Sequence, residues 1–292
     1  MFAHAYQIAS RFTFPVVVFR RFFNGEVQSS LATFIIVNEE GWLLTAAHVV
    51  SEIPLIQRHR EAIAAYDAQA AAIAADERLT AKQKRTRVAH LAHDDHWLTH
   101  LSFLWGPGDV AVHDFKVDPV ADLAAGRLEP PPTFAAEDYP TFKDPQGELV
   151  CGTSLCRLGF PFHTVPATFD EPEQRFVVAP GSLPAPRFPL EGIYTRDGYV
   201  SDPASGRRVR FIETSSPGLK GQSGGPIVDV QGRVWGLQSR TLHLDLGFSP
   251  EVIEGGRQIV EHQFINVGVG THVEEIVRFL RENEIAFRMS EE

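Results

Sequence analysis

The sequence predicts an all-β fold with one helical insertion and a C-terminal helix. Short apolar, β-branched runs separated by glycine, asparagine and proline occur on both sides of residues 54–100. Within that stretch alanine is abundant and apolar residues recur at helical spacing. Apolar residues have the same spacing again at about 271–283. Apolar runs bounded by turn residues are typical of antiparallel strands, whereas recurrence every three or four positions is typical of helices.

The composition limits the kinds of partner. The 292 residues are 43% hydrophobic and 22% charged, which is ordinary for a globular protein, and the net charge of −10 argues against nucleic acid as a partner. No run approaches the roughly 18 apolar residues of a membrane helix, and no segment resembles a signal peptide. We expect no membrane partner and a cytoplasmic location.

The cysteine content agrees with a reducing compartment. Cys151 and Cys156 are the only two cysteines, and they lie five residues apart in one apparent strand. On an extended chain this separation is too large for a disulfide bond. We expect two free thiols.

The first fifty residues predict three strands in sequence. Phe14–Phe19 is apolar, Asn24-Gly25 is a hairpin signal, and a second β-branched run at 33–37 is followed by an acidic turn ending at Gly41. The third strand then leads into Thr45-Ala46-Ala47-His48. A histidine is therefore placed at the end of a buried strand.

Residues 54–100 predict a helical hairpin inserted into the β pattern. Its second helix is expected to include His90 and to place His93, His96 and His100 on one face, where they could hold Zn²⁺. We identify neither the general-base glutamate nor the third ligand of the usual helical metal motif, so we predict no metal site and keep a metal-dependent hydrolase as an alternative. The insertion either binds a regulatory protein partner or simply packs on the sheet, and the sequence does not distinguish these roles.

The second half of the chain returns to short strands. Proline and acidic residues dominate 115–150, and strands are expected near 149–158, 209–212, 227–228, 234–239 and 265–270. The chain therefore divides into an N-terminal unit of residues 1–125 and a C-terminal unit of residues 126–292.

Ser223 lies among glycines in Gly221-Gln222-Ser223-Gly224-Gly225-Pro226, between two apolar runs. Glycines allow positive φ and close approach of another chain. A serine nucleophile needs that room, a neighbouring base, and a third group that orients the base.

Thr45-Ala46-Ala47-His48 and the glycine-rich segment around Ser223 resemble the two signature motifs of the trypsin/chymotrypsin-type serine peptidases. The strand pattern is most similar to the HtrA/Deg branch, here without a following PDZ domain. The resemblance implies two six-stranded antiparallel β-barrels (chymotrypsin-like), a polypeptide substrate and no cofactor. It also implies catalytic residues in the order His, Asp, Ser.

The resemblance assigns His48 as general base and Ser223 as nucleophile. We predict Asp109 as the orienting carboxylate, because it precedes a short apolar strand; Asp94, Asp95 and Asp114 are the rival carboxylates. The N–H groups of Gly221 and Ser223 would form the oxyanion hole. The N-terminal unit then holds His48 and Asp109, and the C-terminal unit holds Ser223.

The resemblance also assigns substrate-binding residues. Ser239-Arg240-Thr241 would pair with the substrate backbone and form one wall of the S1 pocket, which receives the P1 side chain. Pro217, six residues before the nucleophile, lacks the carboxylate that a basic P1 residue needs, so a small or medium apolar P1 residue is expected; Lys220 is near the oxyanion loop.

The glutamine before the nucleophile bears on activation. Gln222 replaces the aspartate that forms an ion pair with a new N-terminus in the zymogen-activated members. We therefore expect no activation by N-terminal cleavage, and instead control by loops or a partner. The alternative is a latent or inactive protease-fold binding module.

Overall fold

The N-terminal part of the chain forms a curled six-stranded antiparallel sheet. The structure is a computed structural model that describes residues 1–106, 110–255, 257–260 and 263–291. The strands lie in the order β4-β1-β2-β3-β6-β5. Their bounds are β1 Thr13–Phe22, β2 Val27–Ile36, β3 Trp42–Thr45, β4 Leu98–Trp105, β5 Ala111–Asp118 and β6 Leu123–Glu129.

The C-terminal part forms a closed β-barrel. Six strands make a ring in the order β13-β8-β11-β12-β17-β14, because β13 also pairs with β14, and β7 and β18 extend the sheet by parallel pairing beyond β14. Two further hairpins are β9–β10 and β15–β16. The bounds are β7 Thr141–Phe142, β8 Ser154–Gly159, β9 Ala167–Asp170, β10 Arg175–Val178, β11 Phe188–Ser201, β12 Arg208–Thr214, β13 Pro226–Val228, β14 Val234–Asp245, β15 Glu251–Glu254, β16 Arg257–Val260, β17 Phe264–His272 and β18 Arg288–Met289.

Five α-helices accompany the sheets in the described ranges. The predicted C-terminal helix is confirmed as α5, and the all-β architecture with an inserted helical hairpin is also confirmed. The N-terminal α1 was not predicted, although its buried Ala5, Ala9 and Phe12 have the i, i+4, i+7 spacing of an amphipathic helix. The bounds are α1 Ala3–Phe12, α2 Ala47–Val50, α3 Ile53–Ala75, α4 Ala81–Ala89 and α5 Val273–Glu282.

The helical insertion is shorter than predicted, and its histidines do not share a helix. A capping box formed by Thr80 and Gln83 fixes the start of α4, which ends at Ala89. Asp94 then accepts a hydrogen bond from the His96 N–H at 2.8 Å, and this Asx-type turn competes with helix formation. His96 therefore lies in a turn, His93 lies in the irregular chain before it and His100 lies in β4, so the predicted face of three histidines is wrong.

The first sheet continues beyond the predicted unit boundary at residue 125, because β6 runs to Glu129 and pairs with β3.

The cysteine prediction is confirmed: Cys151 and Cys156 are both free, the first exposed and the second buried. None of the helices in the described ranges has both the length and the apolar character needed to cross a bilayer.

Candidate active site

His48 lies at the start of α2, immediately after β3. Every residue of β3 is buried, and β3 is held between β2 and β6. His48 is exposed while its neighbours Ala47 and Val49 are buried. The buried strand therefore fixes the backbone and directs the imidazole into the cleft.

Asp122 is the carboxylate that contacts this imidazole. It lies directly before β6, whose Ala124 pairs with Thr45 of β3, so the two strand ends are adjacent. The distances from His48 Nδ1 to Asp122 Oδ2 and Oδ1 are 2.9 and 3.0 Å. Because a carboxylate only accepts hydrogen bonds, the proton lies on Nδ1 and Nε2 is left as an acceptor.

Two further donors hold the Asp122 carboxylate. The His48 backbone N–H donates to Oδ1 at 3.0 Å, and the Ser239 hydroxyl donates to Oδ2 at 2.6 Å. Burial alone would raise the pKa of this carboxyl, but the hydrogen bonds and charge of His48, with the Ser239 hydroxyl, outweigh it and hold the pKa below its usual value. Asp122 also has a φ of 54°, a conformation that non-glycine residues adopt mainly where other contacts enforce it.

The predicted orienting residue, Asp109, lies outside the described residues. The rival carboxylates are engaged elsewhere: Asp94 accepts from His96 N–H, Asp95 lies 3.5 Å from His93, and Asp114 lies 3.1 Å from His113. Sequence reasoning missed Asp122, although it too precedes an apolar run. The useful signal was that Leu123 to Leu128 is almost wholly apolar, as expected of a central strand, whereas the run after Asp109 includes His113, Asp114 and Lys116.

Ser223 is held in a loop between β12 and β13 that packs on the first sheet. The Thr33 N–H donates to Ser223 O at 2.8 Å, and the Thr33 hydroxyl donates to Gly221 O at 2.7 Å. Gly224 has a φ of 81°, and a Cβ there would lie 2.2 Å from Thr33 O. The loop can approach β2 this closely only with glycine at position 224.

The Gly221 and Ser223 N–H groups are available to a ligand. In the part of the chain that the structure describes, neither donates to a protein acceptor. The Gln222 carbonyl accepts from the Gly225 N–H at 2.8 Å, which fixes the peptide that carries the Ser223 N–H, and Gly221 has a φ of 96°. Unpaired N–H groups beside a serine hydroxyl are the arrangement that stabilises an oxyanion during acyl transfer.

Ser223 Oγ forms no hydrogen bond with His48 among the described residues. Hydrogen bonds between a nucleophile and its base are often long or poorly aligned before a substrate binds. In this structure His48 and Asp122 are in hydrogen-bond contact, whereas His48 and Ser223 are not.

A cavity of about 420 Å³ opens beside Ser223. All five residues predicted to bind substrate line it, and they come from two separate segments: Pro217, Lys220, Ser239, Arg240 and Thr241. Gln238 and His243 of β14 and Asn266 of β17 also line it, and none of these was predicted.

A bulge in β14 connects this cavity with the His48–Asp122 pair. The pairing of β14 with β17 shifts between Gln238 and Arg240, so Ser239 has no partner in β17. Bulges redirect a side chain out of the ladder, and here the Ser239 hydroxyl reaches Asp122. On its other edge β14 pairs with β13 as far as Leu237, and Gln238 exchanges hydrogen bonds with Gly224 and Gly225 at 2.8 Å. Among the described residues no strand pairs with that edge at Ser239–Thr241.

The histidines of the insertion pack against aromatic and polar neighbours. His93 lies 5.5 Å from the Tyr66 ring, and His100 Nε2 lies 2.9 Å from Gln174 Oε1. Over the described ranges, no group of three His, Cys, Asp or Glu side chains is placed to hold a metal ion. The alternative of a metal-dependent hydrolase that uses these histidines therefore has no supporting cluster in those ranges.

The family model for the trypsin-like peptidase domain matches residues 32–237. The chain belongs to the trypsin-like peptidase domain family. The matched span runs from β2 into β14 and includes His48, Asp122 and Ser223 of this trypsin-like peptidase domain. Comparison with curated protein sequences gives no match.

Among solved structures, the trypsin-like peptidase domain is similar to the HtrA-type protease AlgW, in a substituted form with a tripeptide, at 15% identity and a TM-score of 0.48. The similarity covers 97% of this chain and 63% of that one, so the chain spans less than two thirds of the length of that protease.

Proposed function

We propose that this trypsin-like peptidase domain is a serine endopeptidase with His48, Asp122 and Ser223 as its triad. The observation that supports this most directly is the contact of His48 Nδ1 with Asp122 at 2.9 Å. Ser239 donates to the same carboxylate and lines the cavity beside Ser223, so the His48–Asp122 pair and the nucleophile face one cleft.

The reaction proceeds through an acyl-enzyme. Ser223 Oγ attacks the peptide carbonyl while His48 Nε2 takes the hydroxyl proton, and the Gly221 and Ser223 N–H groups bind the oxygen that becomes negative. His48 then gives the proton to the leaving amine as the C–N bond breaks. A water molecule, deprotonated by His48, hydrolyses the ester. Asp122 keeps the imidazole in the required tautomer, and the sequence suggests no cofactor.

A polypeptide substrate would bind as an extended strand against the open edge of β14 at Ser239–Thr241. Main-chain pairing with an exposed sheet edge gives affinity that does not depend on side chains. The P1 side chain would then enter the cavity lined by Pro217 and Lys220.

The decisive experiment is labelling by a fluorophosphonate probe with peptide-bond cleavage measured in parallel. We expect wild-type protein to be labelled at Ser223 and Ser223→Ala to be unlabelled. Replacing the orienting aspartate of such a triad by asparagine lowers kcat by about 10⁴-fold, because the imidazole adopts the wrong tautomer. Asp122→Asn should show a loss of that size.

Asp109→Asn is the matched variant, because Asp109 and Asp122 are the two competing assignments. If Asp109→Asn loses activity and Asp122→Asn retains it, the triad proposed here is wrong. If well-folded wild-type protein is neither labelled nor active on any peptide, the endopeptidase proposal fails and the latent binding module becomes the better account.

We further propose that activation needs no N-terminal cleavage. Gln222 is buried, and its Oε1 accepts from the Leu219 N–H at 3.0 Å, so the oxyanion loop is braced from within. Intact mass of active protein tests this: activity that appears only after loss of N-terminal residues would contradict it.

The helical insertion is the proposed site of a regulatory partner. No residue of α3 or α4 is buried, yet α3 starts three residues after α2, which bears His48. The Arg20–Glu52 salt bridge at 2.6 Å ties the junction of the two helices to β1. A partner on α3 is thus well placed to bring His48 towards Ser223. Purified protein that degrades casein at full rate without a partner would remove the basis for this control.

A further inference from the structure

The cavity beside Ser223 is electropositive. Lys220 and Arg240 both line it, and no Asp or Glu residue in the described part of the chain belongs to its lining. Neither side chain forms a salt bridge within the described residues. The chain as a whole carries a net charge of −10, so this local excess of positive charge is opposite in sign to the rest of the molecule.

A buried arginine lies behind the cavity. Arg157 of β8 is 1% exposed, and its Nη1 donates to Gln238 Oε1 at 3.1 Å. Gln238 in turn packs on Gly218, where a Cβ would lie 2.1 Å from Gln238 Nε2. The Gln238 amide therefore links the guanidinium to the wall of the cavity, which Gln238 and Gly218 both line.

No carboxylate neutralises this arginine among the residues that the structure describes. Its Nη2 donates to Ser216 O at 2.6 Å and to the Ser216 hydroxyl, and its Nε has no partner. Burial lowers the pKa of Arg157 only to about 10, so the guanidinium stays charged at neutral pH. A buried charge without a counter-ion is costly, and its field extends into neighbouring spaces of low polarity.

Two glycines leave room for the Arg157 guanidinium. A Cβ on Gly268 would lie 1.7 Å from Arg157 Nη1, and one on Gly192 would lie 3.2 Å from Nη2. Two strands thus provide glycine where the guanidinium needs space. Asp245, further along β14, caps the Gly247 N–H at 2.8 Å and does not line the cavity.

We propose that the S1 pocket selects an acidic P1 residue, glutamate or aspartate, through Arg157 beneath Gln238 and Lys220 at the mouth. This rests on the proposed endopeptidase function and replaces the apolar P1 residue expected from Pro217. A P1 carboxylate supplies the counter-ion that Arg157 lacks, and Thr241, whose hydroxyl donates to Gly218 O, forms the polar wall beside it. An uncharged P1 side chain of the same shape has no charge to interact with Arg157 and Lys220.

The test uses peptides that differ only in P1. Acetylated tetrapeptide anilides with Glu, Gln, Leu or Arg at P1 are compared by kcat/KM. We expect Glu to exceed its isostere Gln by at least tenfold, with Arg poorest, and the ratio to shrink as ionic strength rises because the mouth of the pocket is exposed. Equal rates for Glu and Gln, or a higher rate for Leu, would overturn the proposal.

Variants locate the origin of the preference. Arg157→Met should abolish the preference of Glu over Gln, and Lys220→Gln should reduce it several-fold without disturbing a buried residue. Lys116→Gln removes one exposed positive charge from β5, outside the cavity lining, and is the matched control. A preference unchanged in Lys220→Gln and in folded Arg157→Met would refute the assignment.

A binding measurement separates this inference from the proposed function. Ser223→Ala is titrated by calorimetry with acetylated peptide amides ending in Glu or Gln. Tighter binding of the Glu peptide supports the acidic pocket even if the wild type proves to be latent. Equal binding overturns it even if wild-type Ser223 is labelled and cleaves other peptides.

Discussion

At the scale of single residues, the geometry of the site depends on the donors around Asp122. The carboxylate is largely buried, with 15% of its side chain exposed. Water therefore does not take the place of a hydrogen-bond donor that is removed from it. Ser239 is the donor that couples Asp122 to the substrate-binding wall, since it is the bulged residue of β14.

We predict that Ser239→Ala lowers kcat about tenfold, which corresponds to the roughly 1.4 kcal/mol expected for a hydrogen bond to a charged group. Ser239→Thr keeps the hydroxyl and should retain most of the activity. Because the removed bond favours the ionised carboxylate, the pKa of Asp122 should rise in Ser239→Ala, and activity should begin to fall at a higher pH on acidification. Steady-state kinetics over a pH series measures both effects. Unchanged kinetics in Ser239→Ala would show that this bond does not position the triad.

At the scale of elements, the helical insertion is anchored by a cluster of rings and otherwise exposed. Tyr66 of α3 lies 5.4 Å from the Phe23 ring, edge to face, and Phe23 lies 5.7 Å from Trp97. His59 of α3 accepts from the Leu98 N–H at 2.9 Å, which ties the helix to the start of β4. In α4 only Lys84 and Val88, one turn apart, are partly buried, so this helix should open without unfolding of the two sheets.

We predict that Thr80→Ala loosens α4 while the active site remains intact. The Thr80 side chain accepts from the Gln83 N–H in the capping box, and loss of such a cap costs about 1 kcal/mol. Hydrogen exchange of residues 81–89 should accelerate, whereas labelling of Ser223 should keep its wild-type rate. Thr80→Ser preserves the cap and serves as the control. If labelling slows in step with the loss of protection in α4, the insertion and the catalytic cleft are coupled without a partner.

At the scale of the whole molecule, the two sheets meet through the site itself. Thr33 and Thr45 of the first sheet are fully buried. The Thr33 hydroxyl donates to Gly221 O in the loop that carries Ser223, and the Thr45 hydroxyl donates to Thr33 O at 2.7 Å. Local patterns in the sequence were sufficient for the strands, the helical insertion, His48 and the glycine-rich loop. They were insufficient for Asp122, because Asp109 and Asp122 both precede apolar runs, and the contact of Asp122 with His48 depends on the pairing of β6 with β3, which are distant in sequence. Arg157 was not predicted either, because its contact with Gln238 joins β8 to β14, and these strands are distant in sequence.

The pH dependence of global stability should depend on His272, which caps α5 and joins that helix to the barrel. His272 is 1% exposed and accepts from the Glu274 N–H at 3.0 Å. Burial, with a smaller contribution from the charge of Arg210, lowers the pKa of His272 to about 4. In the unfolded chain the pKa is about 6.5. Between these values the unfolded state binds a proton that the folded state does not, so the free energy of unfolding should fall with falling pH, by up to about 1.4 kcal/mol per pH unit.

His272→Asn tests this, because asparagine keeps an acceptor for the Glu274 N–H but does not titrate. Denaturant unfolding at a series of pH values should show a steeper loss of stability in the wild type than in the variant between pH 6.5 and 4. The carboxylates with lowered pKa, Asp118 and Asp197 among them, lose their contribution mainly below pH 4, so they should not obscure this window. Parallel stability curves for the two proteins between pH 6.5 and 4 would mean that the pKa of His272 is the same in the folded and unfolded states, so that burial at the start of α5 does not lower it.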